Sequence, residues 1–316
     1  MTTPSLPLVV GDDGSTGSRH ALELALDLAE RLDSPVIVVR SWGAHARNSY
    51  LAETLEDATP AAEFTEQVLD ELVSETRSIV DEHPDVSIDF RSGSQSPADL
   101  LCEASTAARM LVVGSRGLGG VSGLLLGSVS NACLHQSTEP VLVVHEPRTP
   151  EASTRIEPRP AHPGEIAIPS VTPGSIVVGH DGSHGADRAL TEALQLAHDL
   201  DVPVAIIRTW SIDSAPHGEL WKDGAVASHL DVSEAVRQRL TAETQPVTSR
   251  HPGVVVDYIG VLGQPTVILT RASRDALMLV VGSRGRGGFS SLMLGSVSMH
   301  CAHRAECPVL VVPHHE

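Results

Sequence analysis

The sequence predicts an α/β protein made of two doubly wound, open, parallel five-stranded sheets of the Rossmann-like kind, arranged as a tandem repeat. Three observations lead there. Long segments recur at one fixed offset, short β-branched runs alternate with helical periodicity inside each copy, and a proline-dense stretch separates the copies.

The repeat is exact in spacing. VVGDDGS from Val9 returns as VVGHDGS from Val177, and LVVGSRGLGG from Leu111 returns as LVVGSRGRGG from Leu279. LLLGSVS at Leu124 matches LMLGSVS at Leu292, and PVLVV at Pro140 matches PVLVV at Pro308; each pair is 168 residues apart. The same offset relates Pro35 to Pro203, Trp42 to Trp210 and Cys133 to Cys301. A period this long is a whole domain, not a solenoid unit. The expected organisation is domain 1 over residues 1–145, a linker over 146–174 and domain 2 over 175–316. Pro147, Pro150, Pro158, Pro160, Pro163, Pro169 and Pro173 exclude regular helix or central strand from that linker.

Within the first copy, Leu6–Gly11 reads as a strand that ends in the turn residues Asp12, Asp13, Gly14 and Ser15. A helix is expected over about Thr16–Leu32, because Leu22, Ala25, Leu26, Ala29 and Leu32 share one face. Val36–Ser41 is the second strand and Ala61–Asp81 the second helix, with Phe64, Val68, Leu72 and Ile79 as its apolar stripe. Val86–Arg91 alternates as a strand, Ala98–Ala108 is helical, and Met110–Val113 is a continuous apolar run suited to burial on both faces. Ser128–Gln136 is a short helix and Val141–Val144 the last strand.

Composition excludes several functions. The chain of 316 residues carries a net charge of −18. That argues against nucleic acid and against anionic membrane surfaces as partners. No apolar run is long enough for a membrane span, and no signal-peptide pattern opens the chain. The four cysteines form no CxxC pair, so a reducing cytoplasm is the expected location. His300, His303 and Cys307 have metal-ligand character, but their first-copy counterparts Ala132, His135 and Glu139 do not repeat it. Any phosphate ligand must be held by local donors, helix ends or a divalent cation, since the overall field repels it.

In a doubly wound sheet, ligands sit beyond the strand C-termini where the winding reverses. Two loops lie there in each copy: Gly11–Ser15, and the loop with Gly114, Gly117, Gly119, Gly120, Gly123 and Gly127. So many glycines suggest close backbone approach to a ligand, with N–H groups gathered as an anion nest. Ser128 is placed to cap the following helix, whose positive end would add to the nest. Neither GxxxxGK[ST] nor GxGxxG after the first strand is present, so a common phosphate-loop NTPase or dinucleotide dehydrogenase is not indicated.

Gly114-Ser115-Arg116-Gly117, nine residues, then Gly127-Ser128 resembles the GxxGx₉G[ST] signature of the universal stress protein family. Gly282, Gly285, Gly295 and Ser296 repeat it, and the resemblance spans about 6–145 and 174–313. It implies a tandem universal stress protein of actinobacterial type that binds ATP and acts as a nucleotide-dependent regulator in stress response or dormancy. Gly114, Gly117, Gly127 and Ser128 would then hold phosphates and ribose, with Gly11, Ser115, Arg116, Gly119, Gly120 and Val129 completing the loops. Asp13 would contact the nucleotide or a phosphate-bound Mg²⁺, and Ser41 matches the adenine-contacting backbone position. The second copy supplies Gly179, Asp181, Thr209, Gly282, Ser283, Arg284, Gly285, Gly287, Gly288, Gly295, Ser296 and Val297, with Asp181 as the Mg²⁺ contact. The resemblance further implies pairing through the final strand, within one chain and between chains as a homodimer; it names no protein partner.

Asp13 has a second reading as a turn or cap residue, Arg116 as a solvent-facing arginine, and the Trp42/Trp210 pair as packing instead of adenine stacking. Two other functions stay open: slow ATP hydrolysis, for which no duplicated His or Glu lies in either motif loop, and a scaffold without nucleotide dependence. Departures from the family pattern are His180 in place of Asp12, Gln95 where the second copy has Gly263, and Arg109/Leu277 where an acidic residue is common. Gly114→Ala with Gly282→Ala is expected to weaken ATP binding without unfolding the chain.

Overall fold

The computed structural model describes residues 5–43, 61–118, 126–146, 170–212, 215, 221–222, 225–286 and 294–314. The chain divides between Glu146 and Pro147 into two compact units. Most of the expected linker, 147–169, lies outside the described residues. Its described end does not behave as a tether: Val171 is buried and Gly174 N donates to Asp275 O at 2.8 Å, so this end belongs to the second unit.

The first unit runs β1 (Leu8–Gly11), α1 (Thr16–Leu32), β2 (Val36–Ser41), α2 (Ala61–Val80), β3 (Ile88–Gly93), α3 (Pro97–Ala104), β4 (Met110–Gly114), α4 (Ser128–Gln136) and β5 (Val141–Val144). Its strands are all parallel, in the order β5-β4-β1-β2-β3. The second unit repeats this as β6 (Ile176–Gly179), α5 (His184–Leu200), β7 (Val204–Trp210), α6 (His229–Thr248), β10 (Val256–Leu262), α7 (Pro265–Ala272), β11 (Met278–Gly282), α8 (Ser296–Arg304) and β12 (Val309–Val312). Its strand order is β12-β11-β6-β7-β10, again all parallel. A short antiparallel pair, β8 (Trp221–Lys222) and β9 (Ala225–Val226), is inserted before α6.

Chain order reverses between β1 and β4, and between β6 and β11. That is the topological switch point at which such sheets bind ligands. The core is aliphatic: β1 and β4 bury Leu8, Val9, Val10, Leu111 and Val112 completely, and α1 lays Leu22, Ala25 and Leu26 over them. Ser15 starts α1 by accepting from Ser18 N at 3.1 Å, and Asp33 ends it in the left-handed conformation at φ 48°. Ser183 and Asp201 do the same for α5.

Several boundaries moved. β3 begins at Ile88 rather than Val86, because Val86 N closes a turn onto His83 O at 3.2 Å. α3 is shorter than Ala98–Ala108: Ser96 caps it with Pro97 in the first turn, and Ala107 at φ 60° cannot continue a helix. β1 starts at Leu8, and β4 extends to Gly114.

Candidate functional site

Beyond the C-terminal ends of β6 and β11 lies a cavity of about 450 Å³. Its walls include Gly179, His180, Asp181, Thr209, Gly282, Arg284, Gly285, Gly295, Ser296 and Val297, all but His180 among the expected site residues. Ile207, Pro265 and Leu269 supply an apolar side, and Arg286 and Ser298 complete the polar one. Gly119, Gly120, Gly287 and Gly288 lie outside the described residues.

The glycine loop is pinned at both ends. Ser283 N donates to Val312 O at 2.7 Å, Gly295 N donates to Ser283 O at 2.6 Å, and Ser298 Oγ donates to Gly282 O at 2.6 Å. Ser115, Gly127 and Ser130 make the same three bonds in the first copy at 2.7, 2.7 and 2.6 Å. The loop therefore leaves β11 and returns to α8 at nearly the same point.

Ser128 does not cap α4, contrary to expectation. It is the first helical residue, and the cap positions are Gly127 and Gly295, which offer no side-chain hydrogen bond. By contrast, α1, α3, α5 and α6 each have a serine cap. The backbone at Gly127 (φ −71°, ψ 159°) suits any residue, and among the described residues a Cβ there would meet nothing closer than 3.6 Å. Local packing thus does not require glycine at this position. Its effect is to leave the first N–H groups of the helix, with their partial positive charge, open.

Other glycines have internal reasons. A Cβ on Gly282 would lie 2.6 Å from Gly185 O, and one on Gly114 would lie 2.6 Å from Gly17 O. These residues let the end of β4 touch the first turn of α1, and the end of β11 that of α5, backbone to backbone. Gly114→Ala and Gly282→Ala are therefore fold-disrupting substitutions, and the expectation that they spare the fold is corrected. Gly117 and Gly285 leave room for the Asp13 and Asp181 carboxylates.

Those carboxylates tie the two loops together. Asp13 accepts from Ser15 N at 3.1 Å and from Leu118 N at 2.9 Å; Asp181 accepts from Ser183 N at 3.0 Å and from Arg286 N at 2.7 Å. Burial pushes both acids up, but the hydrogen bonds outweigh it and hold each below the ordinary carboxylate value. Of the two readings made for Asp13, these bonds realise the turn-forming one.

Sequence reasoning missed a charged group under each first loop. Arg40 Nε donates to Asp12 at 2.9 Å, and its Nη2 donates to Glu75 at 2.7 Å. In the second copy Arg208 Nη2 lies 2.8 Å from His180 Nδ1, and its Nη1 donates to Glu243 at 2.6 Å. Arg40/Arg208 and Glu75/Glu243 recur at the repeat offset, which is the signal that a search of duplicated charges would have found. With Nδ1 accepting from Arg208, the His180 proton sits on Nε2 and points to Asp187 at 3.0 Å.

His180 is buried, and burial followed by the Arg208 charge holds its pKa below 6.5, against the pull of Asp187 and Asp181. A histidine kept neutral in the fold stabilises it fully above the unfolded value of 6.5. That contribution is lost as pH falls through the depressed folded value. Acidification from neutrality is expected to lower the denaturation midpoint of the second unit, and His180→Gln is expected to flatten the slope. An unchanged slope in thermal melts against pH would refute this role.

The tryptophans turn out to pack. Trp42 meets Phe64 edge-on at 4.9 Å and donates to Thr65 Oγ1 at 3.1 Å, while Trp210 is buried and donates to Ser233 Oγ at 2.9 Å. Ser41 Oγ donates to Gln95 O at 2.6 Å. Arg116 is exposed, whereas Arg284 is half-buried and its buried Nε has no hydrogen-bond partner among the described residues. Cys133, Cys301 and Cys307 are buried free thiols, and no group of three or more His, Cys, Asp or Glu side chains among the described residues is arranged to hold a metal.

Comparison with known proteins agrees with this architecture. The sequence pattern of the universal stress protein family matches residues 6–145 and again 174–313. A universal stress protein of Mycolicibacterium smegmatis is 31% identical over 318 residues, covering 96% of each chain. One from Mycobacterium tuberculosis is 29% identical over 317 residues, covering 97% of this chain and 96% of that one. Among solved structures, a universal stress protein from Archaeoglobus fulgidus superposes with a TM-score of 0.57 at 21% identity, covering 97% of this chain and 98% of that one.

Proposed function

We propose that this chain, which belongs to the universal stress protein family, binds one ATP in each copy and acts as a nucleotide-dependent regulator in stress response or dormancy. The observation that carries the reading is the α8 N-terminus: among the described residues it has no side-chain cap, and it lines a cavity of about 450 Å³ together with Arg284, whose Nε has no partner among them. Backbone N–H groups, a helix dipole and a guanidinium converge there, which is the combination a phosphate needs in an acidic protein. Ile207, Pro265 and Leu269 offer the apolar surface that a base requires. The matching first-copy positions keep the glycines, Asp13, Arg116 and the Ser128–Ser130 turn; Val39, Ser41 and Ser18 stand for Ile207, Thr209 and Ala186, and Asp12 and Leu118 for His180 and Arg286.

Asp13 and Asp181 each accept two backbone hydrogen bonds and retain lone pairs. One carboxylate with phosphate oxygens and water suffices for Mg²⁺, so an ion carried in on the phosphates fits these residues. Occupancy would favour the closed arrangement of the two loops in proportion to its differential affinity. His180 and Asp181 are both engaged in holding the loops, which supports binding over hydrolysis. Pairing of the copies through their final strands, homodimer formation and a cytoplasmic site of action belong to the same proposal. No helix among the described residues is long and apolar enough to cross a membrane.

The test is mass spectrometry of freshly purified, denatured protein, followed by titration with ATP–Mg²⁺. Co-purifying nucleotide, or a saturable rise in melting temperature, is expected. Absence of both would favour a scaffold, and turnover near ~1 s⁻¹ or above would make the protein an enzyme.

A further inference from the structure

Among the residues that line the second cavity, the copies differ in charge at two positions. Arg286 stands where the first copy has Leu118, and His180 stands where it has Asp12. Leu118 is 63% exposed. Arg286 instead reaches back across the site: its Nη2 donates to Gly182 O at 3.1 Å, while its own N–H is held by Asp181 at 2.7 Å. Its side chain fills the space over Gly182 (φ 81°), close to the Arg208 guanidinium. His180 is neutral in the place of a carboxylate, for the reasons of burial and Arg208 contact given above. Arg286 thus adds one positive charge at the glycine loop, whereas the charge lost at His180 is not a net gain, because the Asp187 that pairs with it stands where the first copy has Arg19.

Arg284 and Arg286 line the same cavity as the uncapped α8 N-terminus. Among the described residues the Arg284 Nε has no partner and the Arg286 head donates to one carbonyl, a weaker acceptor than a phosphate oxygen. The first copy keeps Arg116 but has only an apolar side chain where the second guanidinium would be.

We propose that the two sites are specialised, and that Arg286 makes the second one selective for the number of phosphates on its nucleotide. On binding, the Arg286 guanidinium leaves the Gly182 carbonyl for the terminal phosphate of a nucleoside di- or triphosphate. A monophosphate does not reach it. The first site, with Leu118, grips the phosphate nearest the helix and discriminates less. This rests on the nucleotide-binding reading above and adds to it a division of labour between the copies.

Isothermal titration with ATP, ADP and AMP, on full-length chains with one site blocked, separates the two. Gly127→Asp leaves the second site to report, and Gly295→Asp leaves the first. The ATP-over-AMP affinity ratio is expected to be about tenfold or more larger at the second site, the scale of one charge-assisted hydrogen bond. In the Gly127→Asp background, Arg286→Leu should bring the ratio down to that of the first site. In the Gly295→Asp background, Leu118→Arg should raise it. Equal ratios at the two sites, or a ratio indifferent to both exchanges, would overturn the specialisation while leaving nucleotide binding intact. No binding of any nucleotide to any chain would overturn both readings together.

Discussion

Replacing Gly127 and Gly295 together by aspartate is expected to abolish nucleotide binding while both units stay folded. The backbone at these positions, φ −71° and −77°, is where capping residues sit. A Cβ on Gly127 has ordinary contacts at 3.6 Å, and one on Gly295 meets Ser283 O at 3.3 Å, a few tenths of an ångström to be absorbed. An aspartate would accept from the open N–H groups and place its charge against the helix dipole, changing stability by roughly 0.5 kcal/mol in the favourable direction. It would occupy the donors the phosphates need and repel them as well. Affinity should fall by about 100-fold or more, the scale of two lost charge-assisted hydrogen bonds. Titration calorimetry reads the affinity and a melting curve reads the fold. A folded double variant that binds ATP like the parent would show that the helix ends are not the phosphate cradle.

The opposite outcome is expected for Gly282→Ala. Its Cβ would lie 2.6 Å from Gly185 O and 2.7 Å from Gly185 C, and neither belongs to a flexible side chain that could move aside. The end of β11 and the first turn of α5 would have to separate, in a layer where Val281 and Ala186 are already buried. Overpacking of this kind costs about 1–3 kcal/mol. Denaturant unfolding should show the second unit destabilised, with hydrogen exchange accelerated in β11 and α5 and unchanged in the first unit. An alanine accepted without cost would mean that the close approach is not a fixed feature of the fold.

These two glycines illustrate what a sequence conceals. Both sit in one motif at fixed spacing, and the motif alone suggested that all its glycines admit a ligand. Packing separates them: Gly282 admits a neighbouring helix, Gly285 admits the Asp181 carboxylate, and Gly295 alone of the three leaves a helix end open. Which atom approaches a glycine is a tertiary fact, invisible to spacing. Elements with strong periodicity were fully legible; Thr16–Leu32, Val36–Ser41, Ser128–Gln136 and Val141–Val144 keep their expected limits. β3 slipped by two residues at its start because it is a half-exposed strand whose alternation leaves its ends undefined. Arg40 and Arg208 were passed over because a charged residue in a strand reads as solvent-facing until Glu75 and Glu243 are seen beside it.

A crystal structure of the full chain grown with excess ATP and Mg²⁺ tests the central claim most directly. The account predicts triphosphate density within hydrogen-bond distance of the N–H groups of Ser128 and Val129 in one copy, and of Ser296 and Val297 in the other. Nucleotide bound elsewhere, with both helix ends facing only solvent, would contradict it.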